Sequence, residues 1–154
     1  TGISEDPNVR YEVAKKIVEH AADYGIPRED IVVDPLIMPV GAINLAGRSA
    51  FDLITRLRTE LKVNTTCGAS NVSFGLPNRH AMNAAFLSMA IHAGMTSAIM
   101  NPLHAEEMGA VLGADVMMGH DPKCRRWIKR FREQPAEGEV VGARGGRERR
   151  RRRA

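Results

Sequence analysis

The chain has 154 residues, of which 44% are hydrophobic and 5% aromatic, enough for one domain with a proper core. Its two cysteines, Cys67 and Cys124, stand far apart without Cys-x-x-Cys or Cys/His spacing, which argues against a disulfide framework or a zinc site. The net charge of +4 misleads: seven arginines against Glu148 give residues 144–154 a charge of +6, leaving −2 for the rest. The body is therefore not a basic, nucleic-acid-binding surface.

Asp6-Pro7 offers an N-cap followed by proline at the first helical position. Val13, Ile17, Ala21 and Tyr24 then predict the inward face of a helix that ends before Gly25. Ile31-Val32-Val33 is a short apolar run, as expected of a buried parallel strand, and it closes at Asp34-Pro35. A second helix carries Phe51, Ile54, Leu57 and Leu61, and a second strand is expected over about Val63 to Cys67. A third helix is expected to turn Met82, Phe86, Met89 and Ala93 inward, with methionine as core filler. Ser97 to Met100 reads as a third strand, closed by Asn101-Pro102, again a cap with a first-turn proline. Two more helical stretches follow, around Leu103 to Met118 and Pro122 to Phe131.

Residues 134–154 separate from this body. Gln134 to Gly146 is rich in Pro, Gly and Glu without apolar periodicity, and the arginine run follows. Such a run can bind RNA or a membrane surface by counterion release, or it can be a solvated extension. The second reading is preferred, since no aromatic residue interleaves with the arginines to stack on bases. Two domains of organisation result: a globular part over 1–133 and a disordered tail over 134–154. Neither a signal peptide nor a membrane-length apolar run is present, so a cytoplasmic location is expected and the sequons at Asn64 and Asn71 are read as accidental.

The order αβαβαβαα means an α/β fold with a parallel sheet wrapped by helices. Three strands are few for such a sheet, and the chain starts at Thr1-Gly2 without methionine, as though just past a strand. A (β/α)8 barrel takes about 250 residues. The expectation is the C-terminal part of such a TIM barrel with its last three strands present; a small open three-layer α/β domain is the alternative.

The loop from Asn64 to Arg79 is the most informative stretch. Loops after strand C-termini carry binding and catalytic groups, because rigid strands hold them in place. This one is crowded with Asn, Ser and Gly and has no carboxylate, which suits recognition of a polar heterocycle better than acid/base hydrolysis.

Asp34-Pro35-Leu36-Ile37-Met38-Pro39-Val40, Gly68-Ala69-Ser70-Asn71-Val72-Ser73-Phe74-Gly75-Leu76-Pro77-Asn78-Arg79 and Ala98-Ile99-Met100-Asn101-Pro102-Leu103 together resemble the pterin-binding barrel of methyltetrahydrofolate:corrinoid (cobalamin) methyltransferases. The barrel type is that of dihydropteroate synthase, and the resemblance covers about residues 3 to 130. It implies transfer of the N5-methyl group between methyltetrahydrofolate and the cobalt of a corrinoid. An amine must leave or be formed at N5, so the protein must serve that atom mainly in the transition state.

Carried over by motif, the resemblance puts Asn71 next to N5 as the activating group; an amide can both donate and accept there. Asp34 is implied to accept the pterin's amine and ring N–H side by side, although capping its own turn with Pro35 is a plain alternative. Gly68 and Ser70 are implied to let the backbone approach the ring and to add small polar contacts. Arg79 matches a basic position near the substrate, but it can equally start the next helix as a solvated residue. Asn101 faces the same mouth, with a helix cap as its simpler explanation. The five histidines show no ligand spacing, His120-Asp121 reads as a helix connection, and no metal bound by this chain is indicated.

The resemblance further implies tetrahydrofolate and a corrinoid protein as partners, and a homodimer for the full-length form. Dihydropteroate synthase itself fits less well. The Ser-Arg-Lys segment and final Arg-x-His-Asp have no counterpart at Pro77-Asn78-Arg79-His80 and Ala98-Ile99-Met100-Asn101. A synthase-like or non-catalytic folate-binding protein remains the alternative. Further pterin contacts of the family, an Asp and an Asn, come from earlier strands that this sequence does not contain. A reading from another class makes the arginine tail a docking arm for nucleic acid or an acidic partner, with steeply salt-dependent affinity.

Overall fold

The computed structural model describes residues 2–132. The arginine tail, and with it the proposed boundary at 133/134, lies outside the described residues. Helix α1 spans Pro7–Asp23; the Asp6 carboxylate accepts the Asn8 N–H at 2.8 Å, and Pro7 occupies the first turn. Gly25, at φ 72°, follows the helix end in the left-handed region that glycine tolerates. Its buried face is Tyr11, Ala14 and Val18, not the one expected: Val13, Ile17 and Tyr24 are exposed and Ala21 is half-buried. The helix carries two apolar diagonals, and the neighbours choose between them. The Arg56 guanidinium stacks 3.6 Å above the Tyr11 ring, and Tyr11, Ala14 and Val18 pack with Leu53, Leu57, Leu61 and Val63.

Strand β1 is Val32–Val33 and strand β2 is Asn64–Thr65, paired in parallel with Val32 opposite Asn64 and Val33 opposite Thr65. Both are shorter than expected. Between them α2 (Ala46–Arg56) runs into a wider π turn over Leu57–Leu61 and stops at Lys62, φ 58°. The expected third strand, Ser97 to Met100, is an extended segment joined by a single parallel bridge, Gly68 to Ile99. Its register is nonetheless held. The Ser97 N–H donates to the Thr65 carbonyl at 3.0 Å, Ile99 N–H to Cys67 at 2.8 Å, and Ala69 N–H to Ile99 at 3.1 Å. The order across the sheet is therefore β1, β2, then residues 97–100.

Alternation along β2 sorts two faces. Val63, Thr65 and Cys67 are fully buried beneath the helices. On the other face Val32 is 55% and Ile99 69% exposed. Helix α3 (Arg79–Ala93) packs against α2 and α4 (Ala105–Met117). Its buried residues are Asn83, Phe86, Leu87 and Ala90, so Phe86 is core as expected while Met82 and Met89 are exposed. The face is turned toward Asn83, a polar residue that periodicity passes over. Burial there is tolerated because Asn83 is hydrogen-bonded on both ends of its amide. Met117 and Met118 are also exposed, so methionine is not generally core here.

A 3-10 turn, Pro122–Cys124, leads into α5 (Arg125–Arg132). Asp121 caps it, accepting the backbone N–H groups of Arg126 and Trp127. Trp127 and Phe131 lie over Gly113 and Gly109 of α4, where any side chain on the glycine would meet a ring.

Candidate functional site

The parallel register brings the C-terminal ends of β1, β2 and segment 97–100 to one edge. Asp34 follows β1 directly, Gly68 to Asn71 follow β2, and Asn101 follows the third segment. The two loops are tied: the Val40 N–H donates to the Val72 carbonyl at 3.0 Å. Residues Ala69–Ser73 form a 3-10 turn that the sequence pattern did not announce.

Asn71 is exposed, and its side-chain amide makes no hydrogen bond among the described residues. That amide lies where a Cβ on Gly68 would come, with Nδ2 only 3.2 Å from it. Gly68 has an ordinary φ of −72°, so glycine is explained here by the room Asn71 needs rather than by backbone freedom. Ser70 is exposed. Its carbonyl accepts the Arg79 guanidinium at 2.7 Å.

Arg79 is the exposed first residue of α3, as one expectation had it, and its side chain also turns back onto the loop. Its Nε donates to Ser73 Oγ at 3.1 Å, so the side chain staples the 3-10 turn from both ends. Asp34 does cap its turn, accepting the Leu36 N–H at 2.8 Å, and Leu36 sits at φ 58°. A carboxylate has about four acceptor sites, so this turn leaves most of its capacity for a ligand. Burial pushes the Cys67 thiol up to about 12, helped by the nearby Asp34 charge, so Cys67 is a neutral core group. Asn101 is not a helix cap. Its Oδ1 accepts the Leu103 N–H at 3.0 Å, its Nδ2 lies 3.0 Å from His104 Nε2, and the α4 N-cap is His104.

A group missed from the sequence adjoins this edge. His80, at the start of α3, and His104, before α4, both bring Nδ1 to one oxygen of Glu107, at 2.9 and 3.4 Å. Asn83 donates to the same oxygen at 3.0 Å and accepts the Ser73 hydroxyl at 2.7 Å. Glu107 is buried, which raises its pKa, yet the bonds from His80, Asn83 and His104 outweigh that and hold it below the usual range. The only sequence signal was His104-x-x-Glu107, one turn apart on a helix; His80 joins through tertiary packing alone. With Ser70, Arg79 and Asn101 these residues line a hollow of about 310 Å³. A larger hollow of about 510 Å³ lies between α3, α4 and Thr96–Ala98; Arg58, His92, Asp115 and His120 are among its lining, and neither Asp34 nor Asn71 is.

Among the described residues no helix is long and apolar enough to cross a membrane. Residues 6–101 match the model of the family described as pterin binding enzyme. Over 135 residues, 86% of this chain, the sequence is 33% identical to the methylcorrinoid:tetrahydrofolate methyltransferase of Eubacterium limosum. The chain spans about half the length of that curated relative, 49%. A barrel-like α/β architecture goes with this match, as do the helix-backed parallel segments and the loops gathered at one edge. The chain belongs to the pterin-binding enzyme family.

Proposed function

We propose that these three parallel segments are the last three strands of a (β/α)8 barrel that moves a methyl group between a corrinoid and tetrahydrofolate. The carrying observation is the edge at which Asp34, Ser70 and Asn71 stand exposed on tied loops, in a chain similar to a protein named for that reaction. The bare face of the sheet supports the barrel: a parallel sheet is normally covered on both sides, and here Val32 and Ile99 lie open.

In this reading the Asp34 carboxylate takes the pterin's amine and ring N–H, one on each oxygen, while the second lone pair of Oδ1 keeps the Leu36 turn rigid. Asn71, unpaired within the described residues, serves N5 as charge develops there, and Gly68 leaves it room to swing. Arg79 and Ser70 act by holding the 3-10 turn that carries Asn71. The corrinoid is a substrate presented at the open edge by a partner protein, and the complete barrel is a homodimer.

The test is the cobalt(I) corrinoid absorbance under anaerobic conditions, in the complete barrel. Its loss on adding methyltetrahydrofolate, or its rise from methylcorrinoid plus tetrahydrofolate, establishes the transfer. Binding of folate without either change means a non-catalytic folate-binding protein.

A further inference from the structure

Resting on that methyl-transfer reading, the geometry points to His80, oriented by Glu107, as the group that takes the proton released when the amine acceptor is methylated. The chemistry requires such a group. The nitrogen lone pair attacks the methyl carbon, the carbon–cobalt bond breaks with its electron pair remaining on cobalt, and the N–H proton must then leave. In the opposite direction the same proton must return to let the amine depart. An amide such as Asn71 can hydrogen-bond at that atom but cannot hold the proton.

His80 is built to hold one. Its side chain is 52% exposed while the Glu107 side chain beneath it is 3% exposed. The Nδ1–H donates to the buried carboxylate at 2.9 Å, and no described residue hydrogen-bonds Nε2. A carboxylate behind one ring nitrogen fixes the tautomer and stabilises the imidazolium formed at the other. Ser70, the residue before Asn71, lines the same hollow as His80. The titratable groups facing that hollow are Arg79 on α3 itself and His104 and Glu107 from α4 and its entry.

The network also distinguishes His80 from its neighbour. The Asn101 Oδ1 is taken by the Leu103 N–H, so its Nδ2 donates to His104 Nε2 and His104 must donate Nδ1–H to Glu107. Both nitrogens of His104 are thus occupied. The same arrangement disfavours a metal ion, although one ligand atom of each of His80, His104 and Glu107 lies within 4.8 Å of the others. A metal-bound imidazole needs an acceptor at its second nitrogen, and Asn101 presents a donor.

The experiment is His80→Asn in the complete protein. Asparagine keeps a donor near Nδ1 for Glu107 and removes Nε2. Methyl transfer to tetrahydrofolate at neutral pH is expected to fall roughly a hundredfold, with KM for folate unchanged. The acid limb of the wild-type pH–rate profile is expected to vanish, and added imidazole to restore rate in proportion to its concentration. A rate within twofold of wild type with the same pH profile overturns the proposal. So does stoichiometric zinc or cobalt in the purified protein that His80→Asn abolishes. A wild type that moves no methyl group fails the methyl-transfer reading itself, and this assignment falls with it.

Discussion

The two faces of the same three parallel segments behave differently. Under the helices, Val63, Thr65 and Cys67 reach zero exposure and join Ile54, Leu57 and Leu87 in a dry interior. On the opposite face Val32 and Ile99 stand open beside half-buried Asn64 and Thr66. The strand residues are of similar kind on both sides. What differs is which side has something to pack against, and burial follows the partner rather than the residue type. The edge joining the two faces is where the polar loops gather, so the candidate site sits at the rim of a well-packed half.

The difference can be broken or sharpened by substitution. Ile54→Ala, on the covered side, is expected to cost about 2–5 kcal/mol, because it removes a fully buried branched side chain and leaves a cavity. A urea titration checks it. At the rim, Asn71→Ala is expected to lower kcat for methyl transfer by roughly a hundredfold or more without weakening folate binding, the pattern of a group that acts in the transition state. A single-turnover rate beside a binding titration separates the two. Asp34→Asn is expected to weaken pterin binding by about tenfold to a hundredfold, the range for losing a charge-assisted pair, while the amide oxygen still accepts from Leu36. Calorimetric titration with tetrahydrofolate reads it, and unchanged affinity confines Asp34 to its turn.

Glu107 gives a test through pH. Its folded pKa lies below its ordinary value, so it stabilises the fold above the ordinary carboxylate range and the contribution is lost as pH falls through the folded value. The stability gap between wild type and Glu107→Gln is therefore expected to be widest near neutrality and to shrink on acidification below roughly pH 4.5. Ile99→Thr, on the bare face, is expected to change the stability of this chain by under about 0.5 kcal/mol. A loss comparable to that of Ile54→Ala means that the open face is covered in solution.

Much of this was legible in the residues. Asp6-Pro7 begins a helix and Gly25 follows its end, because cap chemistry acts within a few residues. The motif around Asn71 marks the candidate site loop, and Asp34 before Pro35 marks a turn that the Leu36 N–H confirms. The misses share one cause. Val13, Ile17, Met82 and Met89 have the right spacing for a buried face but are exposed, since a helix with two apolar diagonals is rotated by its neighbours. Asn83 was passed over as polar and is buried, because Ser73 and Glu107 satisfy it from other elements.

The sequence by itself determined the family, the alternation of helices and extended segments, and the loop that carries the polar groups. Those depend on short-range propensities and on a run of residue types that keeps its order. Tertiary structure alone decided which helix faces are buried, that Arg79 staples the loop, and that His80 meets His104 and Glu107 across 24 to 27 positions of chain. Such contacts join residues that no local spacing relates. Only packing α3 against α4 brings the imidazoles and the carboxylate to hydrogen-bonding distance.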